Sequence, residues 1–171
     1  MEFFQVVERR RSIRLFEQRP IEPDKVQRIL GTIQSAPSAG NLQSYEVYLV
    51  RGAQERASLV RAAGDQDFLA QAPLVLVFCA HAGRAATKYG PRGTELYCVQ
   101  DATIACTFAM LAATALELSS VWVGAFNEEA VKQIIGAPRD QHPVAILPIG
   151  YPAETPSLRE RRPLTDAVHE V

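Results

Sequence analysis

The chain has 171 residues, 47% hydrophobic and 22% charged, a composition that favours one folded domain over residues 1–171 and excludes a disordered chain. Its formal net charge of −1 excludes a general polyanion binder, because nucleic-acid-binding domains carry a basic excess over one face. We therefore expect no nucleic-acid partner.

The cysteines and the N-terminus indicate the compartment. Cys79, Cys98 and Cys106 are odd in number and lie within apolar runs, which is typical of reduced core thiols in an intracellular protein. The N-terminus reaches its arginines after an acidic and two aromatic residues, so it lacks the basic-then-apolar order of a secretory signal. We expect a cytoplasmic protein.

Hydrophobic periodicity predicts a mixture of helices and strands in the first half of the chain. In chain order, the predicted elements are a helix over 3–11, a helix from Pro23 to about Ser35, a strand over 45–51, a short helix over 54–63 and a strand over 74–80. Pro23 suits the first position of a helix, and the apolar residues after it recur at helical spacing. The strand over 74–80 is apolar throughout, which is typical of a central strand.

A long apolar helix is predicted between Asp101 and Glu117. Its fifteen uncharged residues fall short of the ~20 that a bilayer-spanning helix needs, so we expect no membrane span. The segment is apolar on nearly every face and has to be buried all round. Because a chain of this length has little material to wrap it, a two-fold homodimer is favoured. A central helix enclosed within one domain is the alternative.

Three further elements complete an α+β pattern. They are a strand over 121–126, a helix over 128–135 and a strand over 144–150. Asn127 is a suitable cap for this last helix and Gly136 a suitable stop. The segment 150–171 is rich in proline and charge, and we expect it to extend over the surface or onto a partner. The elements together predict one α+β domain.

Several familiar catalytic motifs are absent from the sequence. It contains no G-x-G-x-x-G, no P-loop and no G-x-S-x-G, and its three histidines lack the spacing of a metal site. We therefore expect no metal and no nucleophile of the protein's own. A bound organic cofactor fits that pattern, because cofactors carry chemistry that side chains cannot.

Basic residues are concentrated in two stretches, ERRRSIRLF at 8–16 and SLRERRPL at 157–164. In the first, the guanidinium groups of Arg10 and Arg14 and the hydroxyl of Ser12 can converge on one phosphate, with Arg11 beside them. Stabilisation of a helix C-terminus by cations explains the same residues equally well. The arginines of the second stretch fit a phosphate site or a solvated tail.

A third candidate stretch, APSAGNLQSYEV at 36–47, follows the second helix. Its small residues allow a ligand to approach the backbone, and the amides of Asn41 and Gln43 can pair with a ring that has donors and acceptors. An ordinary helix-to-strand turn uses the same residue types.

Taken together and in this order, these stretches resemble the FMN-dependent nitroreductase family. The matching pieces are RRSIRLF, APSAGNLQSYEVYLV, AAGDQDFLAQAPLVLVF, QDATIACTFAMLAATALELSSVWVGAF and ILPIGYPAETP with RERRPL, which cover nearly the whole chain. The resemblance implies an α+β sandwich in which helices flank a central, mostly antiparallel sheet. It also implies an intertwined homodimer with two FMN molecules at the subunit interface, in a compact branch of the family.

The resemblance implies a set of flavin contacts. Arg10 and Ser12 are implied to hold the phosphate, together with the late basic pair Arg159 and Arg161. Arg14 is implied to lie near the N1 and O2 edge of the ring.

Further contacts are implied on the other parts of the ring. The turn contributed by the partner subunit is implied to comprise Pro37, Ser38, Ala39 and Asn41. Gln66 is implied to face the pyrimidine, and the backbone of Gly124 and Ala125 to lie against N5. The stretch ELSS at 117–120 departs from the glycine-rich family pattern.

The resemblance also implies an activity. Hydride would pass from NADH or NADPH to flavin N5, and then by ping-pong exchange to nitroaromatics, quinones or enones, with Arg14 as electrostatic support. A non-catalytic flavin-binding or regulatory dimer is the alternative, as is a specialised flavin enzyme such as a dehalogenase, an azoline dehydrogenase or a flavin-consuming synthase. The stretch 82–97, with Lys88, Tyr89 and Arg92, is expected to form a mobile substrate lid.

Overall fold

A four-stranded antiparallel sheet, with strand order β1-β2-β4-β3, forms the centre of the computed structural model, which describes residues 1–171. The strands are β1 (Tyr45–Val50), β2 (Leu74–His81), β3 (Ser119–Ser120) and β4 (Gln141–Gly150). The helices are α1 (Phe3–Arg9), α2 (Pro23–Gln34), α3 (Ala53–Ala62), α4 (Phe68–Gln71), α5 (Ala82–Arg92), α6 (Cys98–Ala115) and α7 (Glu128–Ile135). The predicted α+β class with a central antiparallel sheet flanked by helices is confirmed.

Both faces of β2 are covered, which explains its unbroken apolar sequence. Leu74, Leu76 and Phe78 belong to a core shared with α2 and α6. Val75 and Val77 point the opposite way, into a second core built with α3, α4 and α7. Because side chains alternate along a strand, a strand with helices on both faces has to be apolar at every position.

Helix α6 packs its smallest side chains inwards. Ala102, Ala105 and Ala109 are fully buried, whereas Ile104 and Phe108, one turn apart, are only half-buried. Small residues on the inner face let the helix approach the sheet closely, and larger apolar residues are left on its outer face. The inner face of the helix is therefore buried within one chain, and the partner expected to cover its outer face stays a prediction.

The helical run Ala82–Ala115 is long and apolar enough, by length and composition, to cross a membrane. It comprises α5, the π-helical segment Gly93–Tyr97 and α6, so the apolar helix is longer than the sequence predicted. Core helices of soluble proteins meet the same criteria, and α6 packs against α2, β2 and β4.

Most predicted elements are confirmed, but two are wrong. The first helix ends at Arg9 instead of residue 11, because Arg10 turns to extended backbone. The strand predicted over 121–126 is absent; only Ser119–Ser120 pairs as a strand, and Val123 forms one isolated bridge to Ile146. In contrast, α7 begins after Asn127, whose side chain accepts the Ala130 N–H, and stops at a left-handed Gly136, as predicted.

The stretch expected to be a lid is helical. Residues 82–97 form α5 and the π-helical segment, with a break at Gly90, whose φ of 52° is left-handed. A Pro91 inside the run favours such a break, because proline cannot donate to the helical ladder. The side chains that this run presents are therefore ordered by helical backbone.

Candidate functional site

Backbone hydrogen bonds bring both ends of the chain to one edge of the sheet. Ile13 N–H donates to the Ser120 carbonyl at 3.1 Å, so the chain after α1 lies parallel to β3. Glu17 N–H donates to the Tyr151 carbonyl at 2.9 Å, and Ala153 N–H to the Leu15 carbonyl at 2.9 Å. These pairs fix the segment 10–17 against the chain that leaves β4.

An arginine cluster, formed by Arg10, Arg11 and Arg161, results from this pairing. Partial burial lowers the pKa of Arg10, and the neighbouring charges of Arg161 and Arg11 lower it further. None of the three forms an ion pair with a carboxylate. Mutually repelling guanidinium groups without an acidic partner are the arrangement that an external anion stabilises.

Part of the arginine cluster opens onto a cavity of about 560 Å³, which Arg161 does not line. Arg10 and Arg11 line it from one side, and Pro156 and Leu158 of the C-terminal segment from another. The carboxylate of Glu154 also lines it and accepts the backbone N–H of Arg14. The carboxylates of Glu8 and Glu117 line the cavity as well, and none of the three carboxylates forms an ion pair with Arg10 or Arg11.

The other predicted contacts at this edge are less tightly placed. Ser12 is half-buried beside Ser120, whose buried hydroxyl has no hydrogen-bond partner. The side chains of Arg14 and Arg159 are exposed and make no hydrogen bond or ion pair within the chain. Their roles stay predictions.

The turn Pro37–Ser44, called the Asp101 turn below, is held from inside by one buried carboxylate. Asp101 of α6 is only 2% exposed, and it accepts the Ala39 N–H at 2.9 Å and the Ser44 N–H at 3.2 Å. Within the turn, Gly40, Asn41 and Gln43 have left-handed φ values of 56°, 58° and 49°. Such a backbone needs fixed partners, because non-glycine residues adopt it only at an energetic cost.

Arg84 of α5 fastens the same turn from outside. Its guanidinium donates to the carbonyls of Gln43 and Tyr45, the latter at 3.2 Å, and to the Glu46 carboxylate. Together, Asp101 and Arg84 satisfy the polar backbone on both sides of the turn. Pro37, Ser38 and Ala39 then form one wall of a cavity of about 550 Å³ over the start of α6.

The sequence did not point to Asp101 as a site residue, although it carried a signal. Asp101 is the only charged residue between Glu95 and Glu117, in a helix that is otherwise apolar or uncharged. Buried carboxylates are rare unless they are hydrogen-bonded, so a lone aspartate in a core helix predicts backbone donors facing it.

Gln66 and Ala125 meet at a third position. Gln66 Nε2 donates to the Ala63 carbonyl at 2.7 Å and lies 3.5 Å from the Ala125 carbonyl. Both residues line an open cavity of about 540 Å³, and Gly124 beside them is exposed. The structure therefore brings Gln66 and Ala125 together, and their roles at the flavin stay predictions.

Within one chain the three cavities stay separate. The cavities at the arginine cluster, at the Asp101 turn and at Gln66 share no residue. The resemblance assigns the Asp101 turn to the site of the partner subunit, and that assignment stays a prediction.

The side chains offer little nucleophilic chemistry of their own. Burial raises the pKa of Cys79 to about 12 and raises those of Cys98 and Cys106 as well, so the thiolate forms are disfavoured near neutral pH. No three residues among the histidines, cysteines, aspartates and glutamates come together as a metal-binding group. The arrangement is suited to binding and polarising a ligand.

Comparison with known sequences identifies the family. A profile described as "Nitroreductase family" matches residues 7–66 and 53–151, most of the chain. The chain is 31% identical over 173 aligned residues to the "FMN reductase [NAD(P)H]" of Bacillus subtilis, covering 94% of this chain and 70% of that protein. It is 30% identical over 167 residues to the "Oxygen-insensitive NADPH nitroreductase" of Salmonella typhimurium, with the same coverage of 94% and 70%.

Comparison with solved structures leads to the same family. The NADPH:FMN oxidoreductase from Vibrio harveyi, solved in complex with NAD+, superposes with a TM-score of 0.91 at 27% identity. The superposition covers 98% of this chain and 76% of that one. The chain is therefore an enzyme of the nitroreductase family of flavin-linked NAD(P)H oxidoreductases.

Proposed function

We propose that the protein is a cytoplasmic, homodimeric FMN-dependent oxidoreductase that takes electrons from NADH or NADPH and reduces nitroaromatics, quinones or enones. The observation that carries the proposal is the arginine cluster. Arg10 and Arg161 come from opposite ends of the chain and lie near enough for their like charges to interact, and neither forms an ion pair with a carboxylate. Arg10 also lines the neighbouring cavity.

The residues present fit the phosphate of FMN. Guanidinium groups bind phosphate oxygens in pairs, and such charge-assisted bonds are about twice as strong as neutral ones. Partial burial and, after it, the like charges of Arg161 and Arg11 lower the pKa of Arg10, and a bound dianion would favour its charged form. Ser12, half-buried between this cluster and β3, can add a hydroxyl.

The remaining residues would hold the ring. When bound, FMN supplies hydride transfer between the nicotinamide and the acceptor. Arg14, whose side chain is exposed and unpaired, would place a permanent positive charge at the ring edge where negative charge develops. Gln66 and the backbone at Gly124 and Ala125 would orient the opposite edge, since the structure already brings Gln66 and Ala125 together.

Two observations support the homodimer. The outer face of α6 leaves Ile104, Phe108 and Leu111 half-buried at helical spacing. The Asp101 turn and the arginine cluster open onto different cavities of one chain. A two-fold partner would cover the first and bring its own Asp101 turn to the second, so that each site would need both subunits.

The proposal is tested by purification, flavin titration and turnover. We expect a dimer by light scattering that binds one FMN per subunit and oxidises NADH or NADPH when a quinone is supplied. A protein that takes up no FMN would refute the proposal. A protein that binds FMN but shows no turnover with any acceptor class would favour the flavin-binding regulatory dimer instead.

A matched pair of variants locates the phosphate site. Arg161→Ala should weaken FMN binding, whereas Arg162→Ala, which removes an equal charge from the adjacent residue, should leave it nearly unchanged. Equal losses in both variants would indicate general attraction by a basic tail and would contradict the assigned role of Arg161.

A further inference from the structure

Two basic and two aromatic side chains form a cluster on the helical run beside the Asp101 turn, and the flavin contacts do not use it. Its members are Lys88, Tyr89, Arg92 and Tyr97, called the Lys88–Tyr97 cluster below. The rings of Tyr89 and Tyr97 meet edge to face at 5.0 Å. Lys88 Nζ lies 5.5 Å from the Tyr89 ring, and Arg92 Nε donates to the Tyr97 hydroxyl at 2.9 Å.

The Lys88–Tyr97 cluster touches the wall of the cavity at the Asp101 turn. Tyr97 lines that cavity together with Pro37, Ser38 and Ala39. On its other side, the cluster lies against Gly40, where an added Cβ would stand 2.5 Å from the Tyr89 hydroxyl and 2.7 Å from Lys88 Nζ. The missing side chain of Gly40 therefore makes room for both tips, and the cluster and the cavity form one continuous surface.

The two cations of the cluster are free of acidic partners. Arg84, four residues before Lys88, is neutralised by the Glu46 carboxylate and two backbone carbonyls. Lys88 and Arg92 form no ion pair, and Glu95, the only acidic residue between 82 and 100, pairs with neither. Arg92 commits only its Nε to Tyr97, which leaves the two terminal nitrogens of its guanidinium available.

The chemistry of the cluster matches one half of a dinucleotide. Unpaired Lys and Arg side chains bind phosphate oxygens. Lys88 lies over the Tyr89 ring and Arg92 over the Tyr97 ring, at 5.5 Å and 5.3 Å from the ring centres, and such cation–aromatic pairs form a surface against which a purine base can pack. A cavity of about 550 Å³ adjoins them, a volume within the range of small-molecule sites. The sequence has no G-x-G-x-x-G loop that would bind the pyrophosphate elsewhere.

We propose that the Lys88–Tyr97 cluster binds the adenosine phosphates of the NAD(P)H donor while its nicotinamide occupies the cavity at the Asp101 turn. This inference rests on the proposed function, because it needs that cavity to face a bound flavin across the subunit interface. Lys88 and Arg92 contact the phosphates, and Tyr89 and Tyr97 contact the base. The cluster then sets the affinity for the donor without taking part in hydride transfer.

The test is a kinetic comparison of the Lys88→Ala/Arg92→Ala double variant with the wild type. Because a contact to a charged group contributes about tenfold in affinity, we expect KM for NADPH to rise by about tenfold or more, with kcat within about twofold. A rise confined to NADPH assigns the contact to the 2′-phosphate, and an equal rise for NADH assigns it to the pyrophosphate. Unchanged KM values for both donors would overturn the proposal.

An equilibrium measurement gives a second readout. Adenosine 2′,5′-bisphosphate should bind the FMN-loaded wild type in a calorimetric titration, compete with NADPH, and bind the double variant at least about tenfold more weakly. Arg28→Ala, which removes an exposed arginine from α2, is the matched control and should change neither value. Lys88→Gln, a conservative change at an exposed position, keeps the test valid if the double variant folds poorly.

The two proposals fail in different ways. A wild-type protein that takes up no FMN refutes the proposed function. If the wild type binds FMN and turns over, and the double variant keeps both KM values and its affinity for the bisphosphate, only the donor site is refuted.

Discussion

The Asp101 turn and the arginine cluster satisfy their polar groups in opposite ways. In the turn, the backbone donors of Ala39 and Ser44 face the buried carboxylate of Asp101, so the turn is complete without a ligand. In the cluster, the like charges of Arg10 and Arg161 interact, and neither residue forms an ion pair with a carboxylate. The turn is therefore a preformed wall, whereas the cluster leaves like charges unpaired, an arrangement that a bound anion would stabilise.

The largest expected effect is on stability and comes from removing the carboxylate that holds the Asp101 turn. Asp101→Ala leaves the N–H groups of Ala39 and Ser44 without an acceptor, and each unsatisfied buried donor costs about 1–3 kcal/mol. We therefore expect the free energy of unfolding to fall by about 3 kcal/mol, measured by urea denaturation of the apoprotein. Asp67→Asn, at an exposed aspartate whose side chain makes no capping bond, is the control and should change little.

The next effect is expected at the arginine cluster, where removing a side chain should not lower the stability of the apoprotein. Arg161→Ala removes a charge that repels Arg10, so the apoprotein should be as stable as the wild type or slightly more stable. The same change should weaken FMN binding by about tenfold to a hundredfold, because a hydrogen bond to a charged group contributes about 1.5–3 kcal/mol. Thermal melts without ligand and fluorescence titration with FMN measure the two quantities. An apoprotein clearly destabilised by this change would contradict the contrast between the regions.

Local sequence patterns predicted the elements whose cause is local. The helix Pro23–Gln34 has its proline start and helical spacing in the sequence, and β2 has its apolar run. The strand predicted over 121–126 is wrong because an apolar run indicates burial but does not establish strand pairing. Pairing at this position depends on where β4 lies, and only Val123 pairs there, with Ile146.

Long-range contacts explain the remaining errors. Arg10 leaves the helix early because the following residues pair with Ser120, more than a hundred positions away. The meeting of Arg10 with Arg161 came from family resemblance, and no local pattern could place two ends of a chain together. Asp101 was missed for the same reason, since its partners Ala39 and Ser44 lie on a distant turn.

A smaller effect on stability is expected from changing a left-handed glycine in the Asp101 turn. Gly40→Ala forces a side chain onto a left-handed backbone and against the tips of Tyr89 and Lys88, which can move. We expect a loss of about 1 kcal/mol in the free energy of unfolding, measured by thermal melts. Gly31→Ala, inside α2 with nothing near the added Cβ, should instead stabilise the protein by about 0.5 kcal/mol or more. Two effects of the same sign would indicate that the turn is not strained.

The smallest effect is on the pH dependence of stability and is expected at Tyr151, whose hydroxyl ties the start of the C-terminal segment to Glu22. The Tyr151 hydroxyl donates to the Glu22 carboxylate and, as the main cause, lowers the pKa of Glu22 to about 2. Stability from this pair is full above the ordinary pKa of 4.5 and is lost as the pH falls towards 2. We expect Tyr151→Phe to melt with a weaker pH dependence than the wild type between about pH 5 and about pH 2. Tyr48→Phe, which loses a bond to the neutral Gln141 amide, should keep the wild-type profile.

The central claim is that guanidinium groups from both ends of the chain bind the phosphate of FMN, and riboflavin tests it most directly because it has the same ring without the phosphate. The account predicts that the apoprotein binds FMN at least about a hundredfold more tightly than riboflavin, and that Arg161→Ala removes most of this difference while leaving riboflavin affinity unchanged. Equal affinity for the two flavins in the wild type, measured by the same fluorescence titration, would contradict it.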